Sequence, residues 1–461
     1  MSNHEKFHLK KLEDLEREID RLSVDIPVSG SVENLSSSVA VGDLKIPNRL
    51  GVHPMEGCDG LPDGSPGPLT VRRYERFARG GAGLLWVEAT AVVPEGRANP
   101  RQLWLHQGNL SSFSDMMERA RRVQTDLMGA NHDPFYVLQL THSGRYSKPA
   151  SGFEPIIAAR NPYLDPKGHI TDATPVITDD ELEQLEDVYV AAARMAYDIG
   201  FHSVDIKACH RYLVCELLGA HTREGRYGGS FENRTRFLLN VVDKIHDRVP
   251  GLLVTPRMNG YDGIPYPYGW GIDQYDHRTP DLSEPIELLD LLKSRGVPMV
   301  NITIGNPYYN PHVGRPFDLP IDGGYTPDEH PLEGCARLFG VVRDLQKAHP
   351  DLPLVGTGFS WLRQFLGHVG AAMVDQGWLT MVGVGREAFA HPEFAYELLT
   401  HGNLDARAVC ITCSRCTQIM RDEGRTGCVP RDHEVYSSIF LEGRRPDKGK
   451  PKKASRVAEH L

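Results

Sequence analysis

Nothing in the 461 residues approaches the roughly 20 consecutive apolar positions that span a bilayer. The opening MSNHEKFHLKKLEDLEREID also lacks the apolar run of a secretory leader, so a cytoplasmic protein with no membrane partner is expected. Cysteine is scarce, since eight in a chain this long do not make a disulfide scaffold. Positive charge is not in surplus either. Lys and Arg number 51 against 61 Asp and Glu, a net charge of −10, and no nucleic-acid partner is expected. What is present, 40% hydrophobic and 24% charged residues, is ordinary globular composition, enough for one large domain with a small appendage.

The few cysteines are unevenly placed. Cys58, Cys209, Cys215 and Cys335 are scattered, whereas Cys410, Cys413, Cys416 and Cys428 fall within one short segment. Four soft thiolates suit a tetrahedral zinc or an iron–sulfur cubane. Zinc ribbons usually pair two separate C-x-x-C knuckles. Three cysteines in one tight loop with a distant fourth fit a [4Fe–4S] cluster better.

Residues 5–22 read as a charged helix with Leu12, Leu15, Ile19 and Leu22 on one stripe, packed on the body of the protein rather than forming a zipper. Residues 27–40, polar and serine-rich, read as a linker. From residue 46 onward, apolar β-type runs alternate with amphipathic helices. Eight such runs lie near 49–55, 83–93, 135–140, 202–207, 252–258, 299–304, 352–357 and 379–384. Thr178 and Glu181 form a capping box for a helix over 179–199 that Gly200 closes. This is an α/β pattern. Eight βα units fit a (β/α)8 TIM barrel with insertions better than a doubly wound sheet, because the first βα turn lacks G-x-G-x-x-G.

The expected organisation is an N-terminal extension and linker (1–45), the barrel (46–400), a small iron–sulfur segment (401–440) and a basic, disordered tail (441–461). Chemistry in such barrels sits where strands end at the C-terminal face. That makes candidates of Glu56, Gln139, His142, Lys207, His210, Arg257, Asn306 and Arg386.

The most informative stretch is Lys207 to Phe237, KACHRYLVCELLGAHTREGRYGGSFENRTRF. It resembles the segment of the old yellow enzyme family in which a strand ends in two hydrogen-bonding residues three apart. In that family a Tyr follows two residues later, and a Y-G-G-S-x-E-N-R run precedes a helix. NRLGVHPME (48–56), QLTHSGR (139–145), TPRMNG (255–260), GTGFS (356–360) and VGVGREAFAHPEF (382–394) resemble other family elements in the same order.

The resemblance implies an FMN in the barrel. Pro54, Met55, Glu56 and Ala89 would neighbour the flavin and Gln139 would take its pyrimidine edge. Arg257 would lie beside N1 and O2, while Gly358, Phe359, Gly385 and Arg386 would hold the phosphate. Lys207 and His210 would grip the substrate's activating group, and Tyr212 would donate a proton. The physics agrees: a fixed cation stabilises an anionic reduced flavin, and backbone N–H groups entering helices bind phosphate.

The cysteine segment resembles that of the 2,4-dienoyl-CoA reductase and trimethylamine dehydrogenase branch, with one residue fewer between the second and third cysteines. No Gly-rich βα turn follows Cys428, so no further nucleotide-binding region is expected. Three departures stand out: Lys207 replaces the family's usual His, Glu56 a Thr or Cys, and Arg211 a Gly. The aromatic loop 305–318 can line a substrate pocket or pack on itself.

The expected activity is that of an ene-reductase acting on a small molecule with an activated alkene. Its electrons would come from NAD(P)H or from an electron-carrier protein. An amine dehydrogenase passing electrons outward through the cluster is the alternative, and a non-catalytic redox-sensing or partner-binding protein the second. A homo-oligomer is left open.

Overall fold

Pro256 has no N–H to give to a sheet, and the fifth barrel strand breaks there into two pieces. The structure, a computed structural model, describes residues 3–168 and 170–444. The expectation for the basic tail therefore falls largely outside the described residues. β1 (Val39–Val41) and β2 (Leu44–Ile46) form an antiparallel hairpin. The barrel strands are β3 (Leu50–Val52), β4 (Leu84–Ala91), β5 (Phe135–Thr141), β6 (Ser203–Ile206), β7 (Leu253–Val254), β8 (Arg257–Tyr261), β9 (Val300–Ile304), β10 (Leu354–Gly356) and β11 (Met381–Val384).

All barrel pairings are parallel, in the order β7-β6-β5-β4-β3-β11-β10-β9-β8. β7 and β8 are consecutive pieces of one strand. The first pairs with β6 and the second with β9. Ala208 N donates to Arg257 O at 2.9 Å, completing the seam. The sheet thus meets itself, and the eight apolar runs correspond to its eight strands. β4 and β5 are buried at every position, as strands with both faces covered must be. The helix Asp179–Ile199 begins and ends at the caps read from the sequence: Thr178 accepts from Glu181 N, and Gly200 is left-handed with φ 99°.

Two N-terminal expectations need correction. The helix spans Leu12–Leu22 only, because the preceding residues are drawn into tertiary contacts. Phe7 N donates to Asp318 at 3.2 Å, and the Phe7 ring meets Trp361 edge-on. Leu15 on the predicted stripe is fully buried in the main core. The segment read as a linker holds a 3-10 turn, Glu33–Ser36, and strand β1. Val39, Val41 and Ile46 of the hairpin pack on Leu84, Phe135, Met299 and Met381 at the N-terminal ends of the strands. The hairpin closes the bottom of the barrel, so polar groups concentrate above it.

Candidate active site

Asp205, a lone carboxylate in an otherwise apolar strand, organises the barrel interior. It accepts from Trp86 Nε1 at 2.9 Å, Gln139 Nε2 at 2.6 Å and Arg257 N at 2.6 Å. Burial pushes its carboxyl up to about 6 despite these donors. Gln139 is thereby fixed with its Oε1 left for a donor. Arg257 donates from Nε to Asn301 at 3.2 Å and, among the described residues, pairs with no carboxylate. His53 bridges Asn301 (3.1 Å) and Thr357 (3.0 Å). Burial and the Arg257 charge hold its imidazole well below the usual value.

The segment after β6 makes an unusual turn. His210 (φ 62°) and Arg211 (φ 59°) are consecutive non-glycine residues in the left-handed region, a strain found mainly at functional sites. Arg211 is held there by Asp262 at 3.2 Å and by the Tyr268 carbonyl at 2.7 Å, which is why Gly is not needed. The turn delivers Tyr212 to the mouth. Its hydroxyl donates to Glu56 Oε1 at 3.3 Å and lies 3.3 Å from Tyr308 Oη. Lys207 Nζ is 3.3 Å from the same Glu56 oxygen and 3.5 Å from the centre of the Tyr212 ring. Burial, reinforced by the Glu56 charge, raises the Tyr212 phenol well above the usual range. His210 goes the opposite way, kept neutral by burial and by the cations of Arg257 and Lys207.

Around the mouth, Pro54 and Met55 follow β3, and a side chain at Gly385 would lie 2.7 Å from Met55 Sδ. Ala89 is buried where β4 shifts register against β5. Gly358 has φ 111°, and a Cβ there would come within 2.8 Å of Leu338. Phe359 is packed into the core beside Phe339, so only its backbone remains for a ligand. Arg386 donates from Nη2 to Pro316 O at 2.8 Å, while its Nη1 is buried with no partner. An unpaired, buried guanidinium nitrogen next to two close-approach glycines fits a bound phosphate.

The cysteine segment is tied to this turn, because Glu387, beside Arg386, accepts from Cys410 N at 2.8 Å. Cys410, Cys413, Cys416 and Cys428 line a cavity of about 340 Å³, open mouth included. Burial drives the Cys410 thiol well above its ordinary value and Cys428 up to about 12. Elsewhere among the described residues, Glu5, Glu18 and His330 bring three ligand atoms within 4.8 Å of one another, but Arg21 already bonds both carboxylates. Four thiols lining one cavity have the donor chemistry for a tetrahedral zinc or an iron–sulfur cluster.

Sequence reading did not single out His53, Asp205 or Arg421, which lies over the Tyr308 ring, whereas Tyr308 and Arg315 fall in the aromatic loop 305–318 that it offered as a pocket lining. Of the first three, Asp205, a charge between the apolar Val204 and Ile206, left a usable signal.

Comparison with known proteins identifies the family and the fold. Residues 35–266, about half of the chain, match the profile of the NADH:flavin oxidoreductase / NADH oxidase family. An NADPH dehydrogenase of Halalkalibacterium halodurans is 29% identical over 297 residues, 63% of this chain and 77% of its own. An NADH oxidase of Thermoanaerobacter brockii is 24% identical over 88% of this chain, which spans only 58% of that protein. In fold, the chain resembles a 2-naphthoyl-CoA reductase in complex with 2-naphthoyl-CoA (TM-score 0.66, 19% identity, 90% of this chain and 58% of that one). It also resembles the old yellow enzyme homologue of Zymomonas mobilis (TM-score 0.59, 20% identity, 81% of this chain and 94% of that one). No helix among the described residues is long and apolar enough to cross a membrane. The chain belongs to the NADH:flavin oxidoreductase / NADH oxidase family and is a flavin-dependent oxidoreductase.

Proposed function

We propose that this chain binds FMN at the C-terminal mouth of the barrel and a [4Fe–4S] cluster on Cys410, Cys413, Cys416 and Cys428, and that it reduces activated alkenes. The meeting of Tyr212, Glu56, Lys207 and Tyr308 at one point, next to His210, carries the reading. Arg386 with the turns at Gly358 and Gly385 would hold the FMN phosphate, and Arg257 and Gln139 the ring. Held there, FMN would supply hydride chemistry toward the alkene β-carbon, and a cluster on the four cysteines would supply single electrons. NAD(P)H or an electron-carrier protein is the source of reducing power.

The protein's own groups do the rest. Neutral His210 donates a hydrogen bond to the activating carbonyl, and Lys207 adds positive charge. Tyr212, kept protonated by burial, delivers the α-proton. The Lys207 ammonium, lying against the Tyr212 ring, then offsets the negative charge left on the phenol.

The amine dehydrogenase reading is weaker on the same geometry. A cationic substrate would need Glu56 and free aromatic faces. Glu56 is paired with Lys207, while Lys207 lies on the Tyr212 ring and Arg421 on that of Tyr308.

Anaerobic purification followed by flavin, iron and sulfide analysis tests the cofactor assignment, and Cys416→Ser should lose iron and sulfide. NAD(P)H should bleach the flavin and an alkene should restore its colour. Bleaching by amines and not by NAD(P)H would put oxidation first. Absence of extractable FMN would end the proposal.

A further inference from the structure

A chain with ten more negative than positive charges leaves a group of cations unpaired in one place. Elsewhere, buried guanidiniums meet carboxylates: Arg73 with Asp59, Arg145 with Glu216, Arg211 with Asp262 and Arg234 with Glu284. Near the barrel mouth, Arg257, Arg315, Arg386 and Arg421 form no ion pair among the described residues. The carboxylate at the mouth, Glu56, is bonded to Lys207 and Tyr212.

FMN and the cysteine-ligated cluster, as proposed above, account for part of the deficit, since Arg386 lines the cysteine cavity and Arg315 donates to Thr417 beside Cys416 at 2.7 Å. The FMN phosphate would meet Arg386, and the Pro316 carbonyl bonded to Arg386 places Arg315 on the same side. Arg257 lies inside the barrel. Arg421 is different. Its guanidinium stacks 4.3 Å from the centre of the Tyr308 ring, and Tyr308 Oη is 3.3 Å from the Tyr212 hydroxyl. It therefore stands on the proton-donor side of the mouth. Its one hydrogen bond among the described residues is from Nη2 to Pro307 O at 3.2 Å, which leaves the other donors of a planar fork available. The helix that carries it, Arg415–Arg421, also carries Cys416, so the cysteine segment itself reaches the substrate opening.

We propose that Arg421 anchors an oxyanion of the substrate, a carboxylate or a phosphate, while the alkene lies between His210 and Tyr212. This rests on the reductase reading and names the substrate class for it. Tyr308 sets the height of the anchor by holding the guanidinium flat on its ring. Lys207 does not take this role, because its ammonium is held between Glu56 and the Tyr212 ring, at the activating group.

The test uses one enone skeleton with three ends: 4-(3-oxobut-1-enyl)benzoate, its methyl ester, and 4-(3-oxobut-1-enyl)phenyl phosphate. With the flavin-loaded protein, KM for at least one anion should be about 10- to 100-fold below that of the ester, as charge-assisted bonds to a guanidinium allow. Which anion gains more distinguishes a carboxylate from a phosphate subsite. In Arg421→Gln the preference should fall to within about 2-fold of unity, and in Arg421→Lys, which keeps a charge but not the fork, it should be partial. Flavin content reports whether each variant is folded. Calorimetric binding of the same three compounds reads the anchor without turnover. If no compound is reduced but the anions still bind in an Arg421-dependent way, the reductase reading fails and the anchor stands. Equal affinity of ester and anions for the parent protein, or a preference that survives Arg421→Gln, overturns the anchor.

Discussion

Replacing Tyr212 by Phe removes one oxygen and little else. The hydroxyl lies 3.3 Å from Glu56 and 3.3 Å from Tyr308, both longer than the 2.7–2.8 Å usual between hydroxyl and oxygen, so its two hydrogen bonds are weak ones. Glu56 keeps Lys207 as a partner, and the ring beneath the Lys207 ammonium remains. The stability cost should be about 1 kcal/mol or less, a Tm change of about 2 °C or less in a chain this large. If Tyr212 supplies the α-proton, the rate should fall by about 10²–10⁴, equivalent to about 3–5 kcal/mol of barrier. The kinetic effect thus exceeds the structural one several-fold. The assay is anaerobic single turnover of the reduced protein with cyclohexenone, following product by chromatography. Flavin content and reduction by NAD(P)H serve as references for an intact site. Alkene reduction within about 3-fold of the parent rate would refute the proton-donor role, and so would parallel loss of rate and flavin.

Two further outcomes follow from backbone geometry and from burial. Gly358→Ala puts a side chain at φ 111° and 2.8 Å from Leu338, so it should cost about 1–3 kcal/mol and lower the flavin-to-protein ratio on purification; unchanged flavin content would remove this turn from the phosphate site. His142 is buried, accepts from Gly144 N at 3.1 Å, and burial lowers its imidazole to about 4. The unfolded chain therefore takes up a proton below about 6.5 that the folded one refuses, so stability contributed by this residue is present above that pH and lost as pH falls toward about 4. Between pH 7 and 5 the loss should be roughly 2 kcal/mol in urea unfolding, and His142→Asn, which keeps an acceptor, should show a correspondingly smaller loss.

Element type and order were legible because periodicity is local. Continuous apolar runs mark strands buried on both faces, and Thr178, Glu181 and Gly200 fix helix ends through contacts within a few residues. The extent of the first helix was not legible, since Asp318 and Trp361, some three hundred positions away, claim its first turns. Nor was the hairpin of residues 39–46, whose apolar side chains count only once the barrel floor exists to receive them.

The same division runs through the site. Strand ends nominated Glu56, Lys207, His210, Arg257 and Arg386, the family resemblance added Tyr212, and cysteine spacing nominated the cluster segment, because these patterns are carried by neighbours in the chain. Closure of the barrel decided that Glu56 meets Lys207 and Tyr212, that Asp205 fixes Gln139 and Arg257, and that Arg421 from the cysteine segment lies over Tyr308. Charge balance at the mouth depends on distances between residues far apart in sequence. Only the folded chain sets those distances.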